Sequence, residues 1–355
     1  MKLHLFLAMT GILVISACQL HQKENQNAIY TIDAESIIDS ESQTQSLAQI
    51  ATKIKTIPLE TTPTSLVGEI SDIVLLEDNF LILSHNKCML FGPNGKYIAN
   101  IGSKGNGPSE YLYLEGVFVI NHCIYLFDSG KNKIHKYNEN GGHLAAIAID
   151  TCLKGVNGVS FLEDGLFSAF TPDRGYPTMR RELTFFDTLG VVRDSILHRT
   201  TLPEPANIHW YFKECSYVHW NGTTRYKNVL NDTVYTVRHT DGRYTTAPSY
   251  IFHLGKHKAI PDARVQVSKS FMAPKVFNPF QEMAKIELLG ESRKFLLFKA
   301  NGESAYFYNK KDNLLHKWVF DNEFIPIKIT NQGVMLGVIP SENDDDNPSI
   351  GLITL

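Results

Sequence analysis

Between residues 71 and 149 one pattern of apolar and polar positions is written twice. The first copy runs Ser71-Asp-Ile-Val-Leu-Leu76, Phe80-Leu-Ile-Leu83, Met89-Leu-Phe91 and Gly95-Lys-Tyr-Ile-Ala-Asn-Ile101. The second runs Gly116-Val-Phe-Val-Ile120, Ile124-Tyr-Leu-Phe127, Ile134-His-Lys-Tyr137 and Gly141-Gly-His-Leu-Ala-Ala-Ile147. Each copy holds four short runs of apolar, β-branched and aromatic residues, cut by Asp-Asn, Asn-Gly and Gly-Gly turn signals. Four antiparallel strands recurring at roughly 40–50 residues predict the blades of a β-propeller.

The rest of the chain keeps the rhythm with less regularity. A third unit reads Val159-Ser-Phe-Leu162, Leu166–Phe170, Leu183-Thr-Phe-Phe186 and Gly190-Val-Val-Arg193. An aromatic residue stands four positions before a glycine in Phe91/Gly95, Tyr137/Gly141 and Phe186/Gly190, which marks the turn between the last two strands. A fourth hairpin fits Thr233–Val237, Asp241-Gly242 and Arg243-Tyr244, with its earlier strands near Tyr211–Trp220 and Thr224–Leu230. Residues 256–284, with Pro261, Pro274 and Pro279, read as an insertion with a short helix. Strands resume at Lys294–Phe298, Ala305–Tyr308 and Leu315–Phe320, and a last unit spans Ile325–Thr330, Gly333–Ile339 and Ile350–Leu355.

That makes six units. The isolated run Ile54–Leu59 supplies the strand that the last one lacks, so pairing the two ends closes the ring and removes an exposed edge. The expected fold is all-β: a six-bladed propeller of four-stranded antiparallel blades over 51–355, closed by an N-terminal strand. A seventh blade would have to hide in 198–232 or 256–284. Ahead of the ring, residues 28–33 read as an outlying strand and 34–50 as irregular chain, with a helical turn near Ser46–Ile50.

The first eighteen residues follow another logic. Met1-Lys2 gives a positive start and Leu3 to Ile15 an apolar run too short for a typical membrane span, the form of a secretory signal. Ile15-Ser-Ala-Cys18 resembles a bacterial lipobox, which makes Cys18 the lipid-attachment residue. Two or more acyl chains there would hold the protein firmly on a membrane. Residues 19–50 then serve as tether and N-terminal extension. The stretch after Cys18 lacks an acidic run of the kind that resembles a surface-export signal. The expected address is therefore the periplasmic side of the outer membrane, ahead of the cell surface.

Composition adds exclusions. With 34 Lys+Arg against 37 Asp+Glu, the net charge of −3 offers no basic surface for nucleic acid. Cys88, Cys123, Cys152 and Cys215 show no zinc spacing, and three complete disulfide pairings are open to them, although buried thiols are favoured.

Three segments resemble the six-bladed β-propeller lipoproteins of Gram-negative bacteria, related to the TolB-like and NHL-repeat propellers. Ile57-Pro-Leu-Glu-Thr-Thr62 is similar to their entry segment, Ile101-Gly-Ser-Lys-Gly-Asn-Gly-Pro-Ser-Glu-Tyr111 to their glycine-rich loop, and Asn231-Asp-Thr-Val-Tyr235 to a mid-chain strand. The resemblance covers 28–355 and implies fold and address, not chemistry.

No motif points to a cofactor. In Gly102–Tyr111 the lysine lies between glycines and a strand follows, which is not a phosphate loop. His253 and His257 have metal spacing only on a helix, which Gly255 disfavours, and the Asp344–Asp346 run lacks a calcium-loop pattern, so no metal is expected. His209-Trp210 and His219-Trp220 offer sugar-stacking faces that strand packing explains equally well. Neither a nucleophile elbow nor a repeated sialidase box is present.

The leading expectation is a non-catalytic binding or scaffold propeller whose partner is an envelope protein, a peptide or a glycan. The rival is a hydrolase or lyase acting on a polymer from the propeller funnel. Longer loops gather on the face that carries the crossovers between blades, where binding residues concentrate. The expected neighbourhood there holds Lys104, Glu110, Tyr111, Asp128 and Lys131.

Overall fold

Six four-stranded units form at the spacing read above in the computed structural model. It describes residues 28–38, 44–46, 51, 53–149, 155–176, 180–199, 202, 205–206, 213–260, 263–265, 283–301, 304–319, 324–330, 332–343 and 345–354. Two short strands, β1 (Tyr30–Asp33) and β2 (Thr44–Ser46), flank the helical turn α1 (Glu35–Ile38), and β3 (Lys53–Pro58) follows.

The first blade comprises β4 (Ile70–Leu76), β5 (Asn79–Ser84), β6 (Lys87–Phe91) and β7 (Tyr97–Asn100). The second comprises β8 (Leu114–Ile120), β9 (Cys123–Asp128), β10 (Lys133–Asn138) and β11 (His143–Ala148). The third comprises β12 (Val159–Phe161), β13 (Phe167–Phe170), β14 (Arg181–Phe186) and β15 (Val192–Leu197). The fourth comprises β16 (Cys215–Trp220), β17 (Thr223–Asn228), β18 (Thr233–Thr240) and β19 (Arg243–His253). The fifth comprises β20 (Ile286–Glu291), β21 (Phe295–Ala300), β22 (Ser304–Asn309) and β23 (Leu314–Val319). The sixth has β24 (Ile325–Ile329), β25 (Val334–Ile339) and β26 (Ser349–Thr354), and takes β3 as its fourth strand. Neighbours within each blade are antiparallel.

Closure therefore happens as the sequence implied, with β3 antiparallel to β26 from Pro58↔Ser349 to Lys53↔Thr354. The N-terminal extension does more than expected. β1 adds a parallel fifth strand to β19 and β2 a parallel fifth strand to β23. The helical turn falls at Glu35–Ile38, and Ser46 belongs to a strand, while 47–50 lie outside the described residues.

Packing follows the period-2 geometry of a strand, whose side chains point alternately to the two faces. On β5, Leu81 and Leu83 pack towards the second blade while Phe80 and Ile82 pack towards the sixth. Both faces are buried, so the run is continuously apolar instead of alternating. Among the described residues six apolar clusters form, one at each junction between neighbouring blades. The marker glycines sit at φ 79° (Gly95), 82° (Gly141) and 80° (Gly190), the left-handed region that other residues avoid. Space is a second constraint, since a Cβ on Gly95 would lie 1.9 Å from the Pro58 carbonyl oxygen of the preceding blade.

Cys88, Cys123 and Cys215 are free thiols, two of them buried, and Cys152 lies outside the described residues. Among the described residues no helix is long and apolar enough to cross a membrane. Cys18 and the other residues before Ala28, like His209, Trp210 and Asp344, are outside the described set.

Candidate functional site

In every blade the second-to-third connection and the crossover to the next blade leave from one face, and the tight turns leave from the other. The glycine-rich loop on the crossover face is built from within. The Gly107 amide donates to Glu110 Oε2 at 2.7 Å, and Lys131 Nζ donates to the carbonyls of Gly107 at 2.8 Å and Glu110 at 2.6 Å. The Glu110 carboxylate also lies close to Gly105, with Oε2 2.0 Å from where a Cβ there would stand. Tyr111 is 2% exposed and pairs by backbone hydrogen bonds with Ser103 and Gly105. Burial pushes its phenol up to about 12.

Asp128 is wholly buried and accepts four backbone amides, from Leu112 at 3.0 Å, Tyr113 at 2.9 Å, Gly130 at 3.0 Å and Lys131 at 3.2 Å. Asn86 completes the frame, donating to the Leu112 carbonyl at 2.7 Å and accepting from the Leu114 amide at 2.5 Å. The structure thus brings Glu110, Tyr111, Asp128 and Lys131 together, with their polar groups committed to shaping the loop. Lys104 is the exposed member of the expected neighbourhood, and its backbone bridges to Tyr111.

A cleft of about 360 Å³ opens on the same face where the fifth, sixth and first blades meet. Ile325, Ile327 and Val338 give it an apolar lining, and Glu69, Lys299 and Asp346 bring charge. Its walls are fixed by Asn347, which accepts from the Val67 amide at 2.8 Å and donates to the carbonyls of Glu60 at 2.8 Å and Ser65 at 2.7 Å. Lys299 is half-buried and forms no ion pair among the described residues. A half-buried ammonium beside apolar surface suits a carbonyl-bearing group on an apolar body, while Glu69 and Asp346 on the other walls disfavour a strongly acidic one.

Nearer the centre, polar groups of the inner strands are paired across blades. Lys328 meets Asp72 at 2.5 Å between the sixth and first blades. Ser160 Oγ stands 2.7 Å from His219 Nε2, and His219 Nδ1 stands 2.9 Å from Thr224 Oγ1. This has the order of a nucleophile, base and orienter. The third member, however, is a hydroxyl that cannot stabilise an imidazolium as a carboxylate does. Burial, with Lys328 contributing, pushes His219 down to about 4, and Ser160 is only 4% exposed. Between the fourth and fifth blades the buried Glu291 accepts from Arg225 at 2.5 Å, Lys310 at 2.7 Å and the Tyr250 hydroxyl at 2.7 Å, so its charge is matched and hydrogen-bonded.

The profile described as a domain of unknown function, DUF4934, matches residues 29–351. The chain belongs to the DUF4934 family. Solved structures share its fold at low identity. A Bacteroides fragilis protein named as exported is 16% identical, covers 92% of this chain and 99% of its own, and has a TM-score of 0.66. A Bacteroides vulgatus member of another family of unknown function, DUF4221, is 11% identical, with 86% and 97% covered and a TM-score of 0.50. The virginiamycin B lyase of Staphylococcus aureus, bound to quinupristin, is 13% identical, with 85% and 100% covered and a TM-score of 0.49, too distant to carry an argument. No curated protein matches the sequence.

Two features of this DUF4934 chain were not foreseen from its sequence. The cleft joins Gly68–Ile70 to Ser341–Pro348, near opposite ends of the chain, and only closure by β3 makes them neighbours. The other is a set of buried ionisable groups around the third and fourth blades. Glu214 pairs with Arg264, both nearly inaccessible, and burial still raises the Glu214 carboxyl above its usual range. Lys227, fully buried, donates to the carbonyls of Asn228 at 3.1 Å and Asn231 at 2.7 Å, and burial pushes its ammonium down to about 7. Asn231 of the segment Asn231–Tyr235 thus earns its place as the acceptor for a lysine. His253 ends β19 and His257 lies in a 3-10 turn, so the two are not successive turns of one helix.

Proposed function

We propose that this protein is an envelope lipoprotein, anchored through Cys18, that binds an envelope protein, a peptide or a glycan on its crossover face without transforming it. The observation that carries this reading is the cleft in which Lys299 forms no ion pair among the described residues, between walls fixed by Asn347. Lys104 adds an exposed cation on the same face. The glycine-rich loop with Glu110 and Tyr111, held by Asp128 and Lys131 of the next connection, gives that face a preformed surface, and preformed surfaces lose little ordering entropy on binding. The signal-like start and the likeness to a protein named as exported support the envelope address.

The rival reading, a hydrolase or lyase working in the funnel, has the Ser160–His219–Thr224 order in its favour. A histidine pushed down to about 4 is a weak general base, and the little-exposed serine leaves scant room for a polymer, so binding is the better supported reading.

Capture of the native protein from its own envelope, with mass spectrometry of what accompanies it, tests the reading. A partner retained by wild type and lost by Lys299→Glu supports it, and a partner held equally by both contradicts it. Cys18→Ser tests the anchor separately: the variant is expected in the soluble fraction or uncleaved, and full membrane retention contradicts lipidation.

A further inference from the structure

The tight turns on the face opposite the crossovers bring three donors to one place. Glu77 occupies the turn between β4 and β5, His122 the turn between β8 and β9, and Glu139 the turn between β10 and β11. One ligand atom from each lies within 4.8 Å of the other two, and His122 Nδ1 is 3.1 Å from Glu77 Oε1. We propose that Glu77, His122 and Glu139 form a zinc(II) site on the turn face of the first and second blades.

Charge and donor type both point this way. Two carboxylates approach each other here, and among the described residues neither forms an ion pair with a lysine or arginine. A dication would compensate both carboxylates at once, which the single imidazole of His122 does not. The imidazole then selects the ion, because zinc accepts mixed nitrogen and oxygen donors at about 2.0–2.2 Å, whereas calcium and magnesium prefer all-oxygen shells. Donors at that radius on a tetrahedron stand about 3.4 Å apart, so the His122–Glu77 spacing of 3.1 Å is already near it. All three side chains are exposed, which leaves them free to rotate towards an ion.

The scaffold is set by the sheets. Cys123 pairs with Asn138 at the ends of β9 and β10, which places His122 beside Glu139, and Leu76 pairs with Asn79 to hold the turn that carries Glu77. Three protein donors leave a fourth tetrahedral position for water or for a donor from a second molecule. The site lies on the face opposite the cleft and is independent of the binding reading proposed above.

The test uses the full chain stripped of metal and titrated with zinc chloride by calorimetry, followed by thermal melting. One zinc per chain is expected, with a rise in Tm that calcium and magnesium do not reproduce. Glu77→Gln, His122→Asn and Glu139→Gln should each weaken uptake tenfold or more, while His143→Asn, a nearby exposed histidine outside the triad, should not. Asparagine is chosen at His122 because it tolerates the φ of 59° found there, so folding is preserved. X-ray absorption at the zinc edge of the wild type gives a second readout that needs no variant: one imidazole, oxygen for the remainder and no sulfur. Absence of saturable one-to-one uptake, uptake unchanged in all three variants, or sulfur in the shell would each overturn the proposal.

Discussion

Ile57 of β3 lies opposite Ile350 of β26, and through this pair the two ends of the chain close the ring. The side chains are 3% and 0% exposed and belong to the cluster between the sixth and first blades. Ile57→Ala removes packed methyl groups from a site walled by two blades and is expected to cost about 2–5 kcal/mol. Deleting 53–58 leaves β26 as an open edge, so aggregation should accompany the loss of stability. Thermal melting with size-exclusion chromatography checks both, and unchanged values would mean that the ring does not depend on β3.

Lys131 is expected to act on loop order more than on charge. Its ammonium satisfies two carbonyls, those of Gly107 and Glu110. Lys131→Met keeps the aliphatic stem and strands both acceptors, a loss of about 1–3 kcal/mol. Limited proteolysis should then cut within 102–111, where wild type resists. Cleavage at equal rates in the two proteins would contradict the assignment.

Glu182 sets a pH dependence. Burial is the main cause that pushes its carboxyl up to about 7, against the opposing pull of Arg199 and Tyr226. A carboxyl raised in the folded state takes up protons on folding. Its contribution is therefore fully present below about pH 4.5, the ordinary value, and is lost as pH rises through about 7. Glu182→Gln removes that slope, so the difference in Tm between variant and wild type should shift in the variant's favour from pH 5 to pH 8. A constant difference across that range would show that Glu182 titrates normally.

The blades were legible because their middle strands are buried on both faces. A run such as Phe80–Leu83 has no polar alternative, and the glycine between the last two strands, Gly95, must take a positive φ while touching the neighbouring blade. The third blade was fainter because β12 has only three residues and β13 four. Tyr30–Asp33 could be read as a strand, but a strand's alternation does not name its partner, so the parallel pairing with β19 was invisible.

The site was legible only as a face. Glu110, Asp128 and Lys131 are polar residues in loops, and sequence does not distinguish a side chain turned to solvent from one bonded to its own backbone. The cleft and the turn-face triad were hidden for a shared reason. Their residues converge only after blades have closed or stacked, from positions with no common spacing.

The affinity of the captured envelope partner for purified variants decides whether the crossover face takes the ligand. Lys299→Glu and Lys104→Glu should weaken binding tenfold or more, about 1.4 kcal/mol or above. Asn94→Asp and Asn140→Asp, on the exposed turns of the other face, should leave it unchanged. Loss of binding in the two asparagine variants with none in the lysine variants would place the site on the opposite face and contradict the claim.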